Sequence, residues 1–90
     1  MQSKNIVVHG QVQGVFFRQG AQDAAREYGV AGWVRNRDDG TVEMVVEGED
    51  DAVDRMIAWA REGTSQAQVN DVEVADAEPQ GLRSFEQRET

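Results

Sequence analysis

The stretch HGQVQGVFFR, His9 to Arg18, places two glycines four residues apart and follows them with two aromatic residues and an arginine. It comes directly after an apolar run, and glycines allow the backbone to bend sharply. Two interpretations fit these residues. The stretch is either an ordinary turn from a strand to a helix, or a pocket whose main-chain N–H groups close around an anion.

The hydrophobic periodicity changes across this stretch. Before it, KNIVVHG alternates as a strand, with Ile6 and Val8 on one face. After it, the period is helical, and Gly20 inside this helix predicts a close approach by another element, because glycine costs about 1 kcal/mol relative to alanine there. The residues that define the helix and its left-handed cap are Phe17, Ala21, Ala24, Ala25, Tyr28 and Gly29.

The middle of the chain predicts a β-hairpin. AGWVRN reads as a second strand, and TVEMVVEG as a third with Val42, Met44 and Val46 on one face. Between them an Asp-Gly pair, Asp39 and Gly40, is a turn signal of the kind that joins antiparallel strands.

The remainder of the chain predicts a second helix followed by strands. The helix opens at EDDAVDRM with an acidic first turn, which suits the positive end of the helix dipole, and ends at Gly63. AQVNDVEVADA reads as a fourth strand and LRSFEQR as a short final one. The buried stripe of the helix is Val53, Met56, Ile57 and Ala60, and the fourth strand carries Val72 and Val74.

The order of elements predicts an α+β fold. Strand, helix, strand, strand, helix, strand is the order of a ferredoxin-like βαββαβ sandwich, in which two helices cover one face of an antiparallel sheet. A chain of 90 residues builds one modest core, so residues 1–90 are expected to form a single domain.

Composition limits the partners. The net charge of −8 disfavours nucleic acid and anionic membranes, which bind through lysine and arginine. No segment approaches membrane-spanning length, and the amino terminus shows no apolar run of signal-peptide length, so a cytoplasmic location is expected. There is no cysteine to form disulfides or thiolate metal sites, and a monomer is the default expectation for a domain of this size. Lys4 is the single lysine against eight arginines and 17 acids. Either the charges are simply solvated, or the chain is adapted to a salt-rich cytoplasm that screens their repulsion.

The chemistry expected of the opening stretch follows from its place between a strand and a helix. N–H groups at a helix start have no internal partners, and the helix dipole favours negative charge there. Gly10 and Gly14 let several amides converge, and Arg18 brings a planar guanidinium that binds two phosphate oxygens together. The stretch lacks both the Walker lysine and the dinucleotide-binding glycine pattern. Its spacing alone therefore favours a turn over an anion site.

Two separated motifs resemble the acylphosphatase family: GQVQGVFFR, and GVAGWVRN after it. The family signature reads glycine, any residue, valine, glutamine, glycine, valine, then phenylalanine-arginine, with glycine-tryptophan-valine and an asparagine further on. The likeness extends over nearly the whole chain. The matching positions are Gly10, Val12, Gln13, Gly14, Val15, Phe17, Arg18, Gly32, Trp33, Val34 and Asn36.

This resemblance implies an enzyme that hydrolyses small acyl phosphates, which are carboxylic–phosphoric anhydrides, to a carboxylate and inorganic phosphate without a metal or other cofactor. By the same resemblance, Arg18 binds the substrate and Asn36 positions the attacking water. One position departs from the family, where Gln11 stands in place of a common arginine and puts affinity in doubt more than activity. The implied phosphate loop is Gly10, Gln11, Val12, Gln13, Gly14, Val15 and Phe16.

The chemistry of an acyl phosphate agrees with this small set of groups. Its leaving group is a carboxylate, whose pKa near 4 lets it depart without a proton. Positioning and charge stabilisation at the phosphoryl oxygens are then the main requirements. Arg18 and the loop amides meet the second requirement, and a neutral amide at Asn36 orients water without repelling the substrate.

Other interpretations remain open for the same residues. Asn36 alone reads as the start of a hairpin turn, and Arg18 alone as a solvated helix residue. A catalytically silent ferredoxin-like module that only binds an anion has the same fold, although it has no need of a water-orienting amide. An RNA-binding sheet is set aside, because its strands would carry exposed aromatic residues and a basic surface.

The remaining polar and aromatic residues are assigned structural places. His9 is expected at the sheet edge, without the partners that a metal requires. An acidic run has no calcium-loop spacing and reads as a strand end followed by a helix start. The residues of that run are Glu47, Glu49, Asp50 and Asp51, and the aromatic residues expected in or around the core are Phe16, Phe17, Trp33 and Trp59.

Overall fold

Seven elements of secondary structure follow one another along residues 1–89 of the computed structural model, which are the residues that the structure describes. The predicted order of strands and helices is confirmed, including the short final strand. None of the helices in this part of the chain is long and apolar enough to cross a membrane. The elements are β1 (Gln2–Gln11), α1 (Phe17–Tyr28), β2 (Ala31–Asn36), β3 (Val42–Gly48), α2 (Asp50–Glu62), β4 (Gln68–Asp76) and β5 (Phe85–Arg88).

The five strands form one sheet in the order β4-β1-β3-β2-β5. The ferredoxin-like fold is as expected, but the sheet is mixed, because β5 pairs parallel to β2 while the other neighbours are antiparallel. The reason lies in the segment 77–84. It leaves β4 at the end of the sheet where β1 begins and crosses at that same end to β5, so β5 runs opposite to β4 and along β2.

The core lies between the helices and one face of the sheet. Alternation along each strand directs every second side chain to that face, where the apolar stripes of both helices cover it. Ile57 is half-buried, whereas the other three residues of the predicted α2 stripe are buried. Fully enclosed core residues include Ile6, Val8, Ala21, Ala25, Val34, Val42, Met44, Val46, Val53, Met56 and Ala60.

The close approach predicted at Gly20 is the crossing of α1 over the end of α2. A Cβ on Gly20 would lie 2.8 Å from Cγ2 of Thr64 and 2.9 Å from the Trp59 ring. One turn earlier, the rings of Phe17 and Trp59 pack with centroids 5.0 Å apart. This crossing fixes the start of α1, and with it the end of the loop that precedes the helix.

Glu47 holds the segment 77–84 against the sheet. Glu47 is 7% exposed, and its carboxylate accepts hydrogen bonds from the Gln80 N–H, from the Leu82 N–H at 3.2 Å and from the Ser3 hydroxyl at 3.2 Å. Burial by itself would raise the pKa of Glu47, but these donors outweigh it and lower the pKa below its usual value. The contact sets where β5 joins β2.

Candidate active site

The bend between β1 and α1 follows an irregularity in the pairing of β1 with β4. The pairing of these strands shifts between His9 and Gly10, and Gly10 has a φ of 132°. A Cβ at this position would lie 2.0 Å from the Gln68 carbonyl oxygen, so only glycine lets the two backbones approach this closely. The chain is thereby directed out of the sheet into residues 12–16, which we call the anion loop.

The anion loop ends at Phe16, whose backbone is left-handed with a φ of 60°. This conformation costs a residue with a side chain roughly 1–3 kcal/mol, so the surrounding contacts must hold it. The Phe16 carbonyl accepts the N–H of Gly20 at 2.9 Å and so starts the helix. Phe16 is 73% exposed, which corrects the expectation that it packs in or around the core; the left-handed backbone turns its side chain outward, whereas that of Phe17 turns inward.

Two side chains tie the anion loop to neighbouring elements. The Gln13 amide nitrogen donates to the carbonyl oxygens of Arg37 at 2.8 Å and Thr41 at 2.9 Å, on either side of the β2–β3 turn. The Thr64 hydroxyl donates to the Val15 carbonyl at 2.9 Å. Gln13 therefore couples the loop to the hairpin that carries Asn36.

The main-chain N–H groups of the anion loop are unpaired within residues 1–89. None of residues 12–16 donates a backbone hydrogen bond there, although the Phe16 and Val15 carbonyls both accept one. The first N–H groups of α1 follow directly and add the positive end of the helix dipole. Main-chain N–H groups that are unpaired and close together favour an anion at this position.

Arg18 adds a formal positive charge in the first turn of α1. It is half-buried, and its Nη1 donates a long hydrogen bond of 3.4 Å to the Arg88 carbonyl. In the described residues, no carboxylate oxygen lies within ion-pair distance of its guanidinium. Its charge is therefore available to an incoming anion.

Asn36 is the last residue of β2 and lies on the helix-facing side of the sheet, like Val34 two residues earlier. It borders the same cleft as Arg18, and its carboxamide makes no side-chain hydrogen bond to the rest of residues 1–89. The cleft has a volume of about 500 Å³. Its lining residues are Val12, Gly14, Phe16, Phe17, Arg18, Gln19, Asn36 and Gln87.

The structure thus brings both predicted side chains, Arg18 and Asn36, to one cleft with part of the predicted loop. Val12, Gly14 and Phe16 line it, and the other loop residues do not. Of those others, one lies at the register shift between β1 and β4, one is exposed at the end of β1, and two make or accept the hydrogen bonds that tie the loop to the hairpin and to Thr64. These four residues are Gly10, Gln11, Gln13 and Val15.

Sequence reasoning missed three residues that line the cleft: Phe17, Gln19 and Gln87. Phe17 and Gln19 flank Arg18 in the first helical turn, a proximity that could have identified them. Gln87 comes from β5, and nothing in the sequence indicates which strand β5 joins. Its amide donates to the side-chain oxygens of Gln19 and Gln22, both at 3.0 Å, so β5 forms one wall of the cleft.

A second hollow of about 310 Å³ adjoins Asn36 at the hairpin tip, between Arg35, Arg37, Asp38 and Asp39. The hydrogen bonds from the Thr41 hydroxyl and N–H lower the pKa of Asp39, so this carboxylate stays ionised. Two carboxylates balance the two arginines here. The hollow therefore lacks the uncompensated positive charge of the cleft at Arg18.

His9 lies on β1, an inner strand of the sheet, rather than at the predicted sheet edge. Its Nε2 lies 3.2 Å from a Glu73 carboxylate oxygen on the face away from the helices. The described part of the chain contains no group of three or more histidines and carboxylates arranged to hold a metal ion. Trp33 also lies on that outer face, where the guanidinium carbons of Arg35 and Arg88 lie 5.6 Å and 5.0 Å from its ring centroid.

Comparison with known proteins gives a consistent family. Residues 4–87 match the sequence model of the Acylphosphatase family. The acylphosphatase of Haloquadratum walsbyi is 53% identical over 81 residues, covering 90% of this chain and 87% of that protein. The acylphosphatase of Acidovorax sp. is 50% identical over 88 residues, covering 98% and 91%. The crystal structure of acylphosphatase from Bacillus subtilis superposes with a TM-score of 0.94 at 36% identity, covering 98% of this chain and 99% of that one.

Proposed function

Because this chain belongs to the acylphosphatase family and is an enzyme that hydrolyses acyl phosphates, we propose that the cleft between the anion loop, Arg18 and Asn36 is its active site. The observation that carries the proposal is that three kinds of group border this one cleft: the Arg18 guanidinium, the unpaired main-chain N–H groups of the anion loop and the unpaired Asn36 carboxamide. A module that only binds an anion is not favoured, since the relatives above are acylphosphatases.

In this proposal the anion loop and Arg18 bind the phosphoryl group. The N–H groups of residues 12–16 donate to its oxygens, and the guanidinium neutralises charge that spreads over them in the transition state. The absence of a carboxylate at ion-pair distance from Arg18 within residues 1–89 supports this role. Gln11 is exposed at the end of β1 and does not line the cleft, so its departure from the family pattern leaves this cradle unchanged.

Asn36 positions the attacking water. Its side-chain oxygen accepts a hydrogen bond from the water, which the carboxamide can do because it has no protein partner in the described residues. Gln13 holds the hairpin that carries Asn36 at a fixed place relative to the loop. Fixing the water opposite the leaving group replaces an encounter in solution by attack within one complex.

The hydrolysis balances without a further reactant. The water oxygen forms a bond to phosphorus, and the bond between phosphorus and the bridging oxygen breaks. The bridging oxygen keeps the electron pair and leaves as a carboxylate, which needs no proton at neutral pH. Both water protons remain on the phosphate product. Charge stabilisation comes from Arg18 and the loop amides, so the proposal includes no metal, and turnover should be the same with a chelator present.

Phosphate release from benzoyl phosphate tests these roles. Arg18→Gln should remove both turnover and competitive inhibition by phosphate, because the cation that binds the phosphoryl group is lost. Asn36→Ala should keep phosphate inhibition and lower kcat roughly a hundredfold or more, since the water loses its orientation. Matched controls are Arg26→Gln in the last turn of α1 and Asn70→Ala in β4, both away from the cleft. Normal kcat in Asn36→Ala would refute the role of the carboxamide.

The proposal also treats the enzyme as a cytoplasmic monomer. Sedimentation at equilibrium together with kcat across a range of protein concentrations tests this, because a constant kcat with a monomer mass is expected. Cell fractionation tests the location.

A further inference from the structure

Phe16 is a large apolar side chain that the fold leaves in solvent beside the proposed active site. It is 73% exposed, whereas the adjacent Phe17 is 2% exposed. In residues 1–89 the other exposed large hydrophobic residues are Met1 and Val74, and neither lines the cleft. An aromatic ring in water lacks the burial that normally accounts for its place in a fold.

The backbone holds this ring at the rim of the cleft. The peptide groups on both sides of Phe16 are fixed, because the Val15 carbonyl accepts the Thr64 hydroxyl and the Phe16 carbonyl accepts the Gly20 N–H, each at 2.9 Å. The left-handed φ of 60° then determines the direction of the Cα–Cβ bond. Asparagine or glycine would adopt this conformation at lower cost, so the presence of phenylalanine is unexplained by the backbone.

The other walls of the cleft offer little to the acyl part of a substrate. The anion loop and Arg18 face the phosphoryl group in the proposed function. Gln87 donates both amide hydrogens to Gln19 and Gln22, and Gln19 donates to Asp23 at 3.0 Å, so these amides bind one another. The remaining apolar residues of the lining, Val12 and Phe17, are almost fully buried. Phe16 is the lining side chain with free apolar surface.

We propose that Phe16 is a specificity-determining residue that contacts the acyl group of the substrate, so that the enzyme favours acyl phosphates with an aromatic or extended aliphatic acyl group over small or charged ones. This inference rests on the proposed active site. The ring covers the apolar part of the acyl group and takes no part in bond making or breaking. Its effect is therefore on the discrimination between substrates, expressed as a ratio of kcat/KM values.

The ratio of kcat/KM for benzoyl phosphate to that for acetyl phosphate tests the proposal. The wild type should prefer benzoyl phosphate, and Phe16→Asn and Phe16→Gly, which both fit the left-handed backbone, should lower the ratio about tenfold, equivalent to about 1.4 kcal/mol. Phe16→Tyr should keep the ratio, because the ring is retained. Val74→Asn, at an exposed apolar residue away from the cleft, should leave it unchanged.

One result would overturn the proposal. An unchanged ratio in both Phe16→Asn and Phe16→Gly would show that the ring does not contact the acyl group. If that unchanged ratio came with an equal fall in kcat/KM for both substrates, residue 16 would act only through the loop backbone. Failure of the proposed active site itself is distinguishable, since Arg18→Gln would then keep both turnover and phosphate inhibition whatever the effect at Phe16.

Discussion

Replacing Glu47 with glutamine should destabilise the fold by removing the charge that holds the segment 77–84. The carboxylate accepts three hydrogen bonds, two of them from the main-chain N–H groups of Gln80 and Leu82. Glutamine has almost the same shape but keeps only one oxygen. Its NH₂ group then faces a main-chain donor, so at least one N–H in this tight contact loses its partner.

The expected cost is about 2–3 kcal/mol at neutral pH, because hydrogen bonds to a charged group contribute roughly 1.5–3 kcal/mol each and one is lost while the others weaken. For a domain of this size that lowers Tm by roughly 10–20 °C. The hydrogen bonds from these donors lower the pKa of Glu47 in the folded state below its ordinary value of 4.5. Its stabilisation is therefore fully present above that value and is lost as the pH falls through the lower folded pKa.

Urea denaturation followed by circular dichroism measures the free energy of unfolding for both proteins. The wild type should exceed Glu47→Gln at about pH 7, and the gap should shrink as the pH is lowered to about 2.5. Glu78→Gln, an exposed residue of the same segment, serves as the control and should match the wild type at neutral pH. A gap that is absent at neutral pH, or equally large in acid, would refute the reasoning.

Three further changes have distinct expected results. Gln13→Leu removes both hydrogen bonds to the β2–β3 turn, so kcat should fall about tenfold while the phosphate inhibition constant changes little. An equal loss of kcat and of phosphate affinity would contradict this. Gly10→Ala places a Cβ 2.0 Å from the Gln68 carbonyl oxygen and should cost at least about 3 kcal/mol in urea denaturation, well above Gly40→Ala, which has a positive φ but no atom within 4 Å. With a net charge of −8, Tm should rise between low and molar salt if the composition is a salt adaptation, and an unchanged Tm would end that interpretation.

Local patterns in the sequence were enough to place most of the fold. The helical spacing that begins at Phe17 and the cap at Gly29 predicted α1 with its observed bounds, because both signals act within a few residues. The Asp-Gly turn predicted the β2–β3 hairpin for the same reason. The side of the sheet on which Asn36 lies follows from its alternation with Val34 along β2. These are properties of neighbouring residues.

The missed features depend on contacts between distant parts of the chain. The direction of β5 follows from the segment 77–84, which stays at the end of the sheet where β4 finishes. Glu47 holds that segment there, and no local signal in the sequence reports this contact. Gln87 enters the cleft for the same reason. The outward direction of the Phe16 side chain depends on a left-handed backbone held by Thr64 and Gly20, whereas the apolar character of phenylalanine alone predicts burial.

The walls of the cleft are supplied by parts of the chain that lie as far apart as Val12 and Gln87. Such long-range pairings form late in folding, because closing large loops comes before the contacts that stabilise them. Catalytic activity in this molecule therefore requires every element to be in place. In a folding intermediate, both helices and the central hairpin could form while β5 remains undocked. Such an intermediate would have native-like circular dichroism, but its cleft would be open and would lack one of its walls. In a refolding experiment, recovery of turnover should therefore lag behind recovery of helical signal.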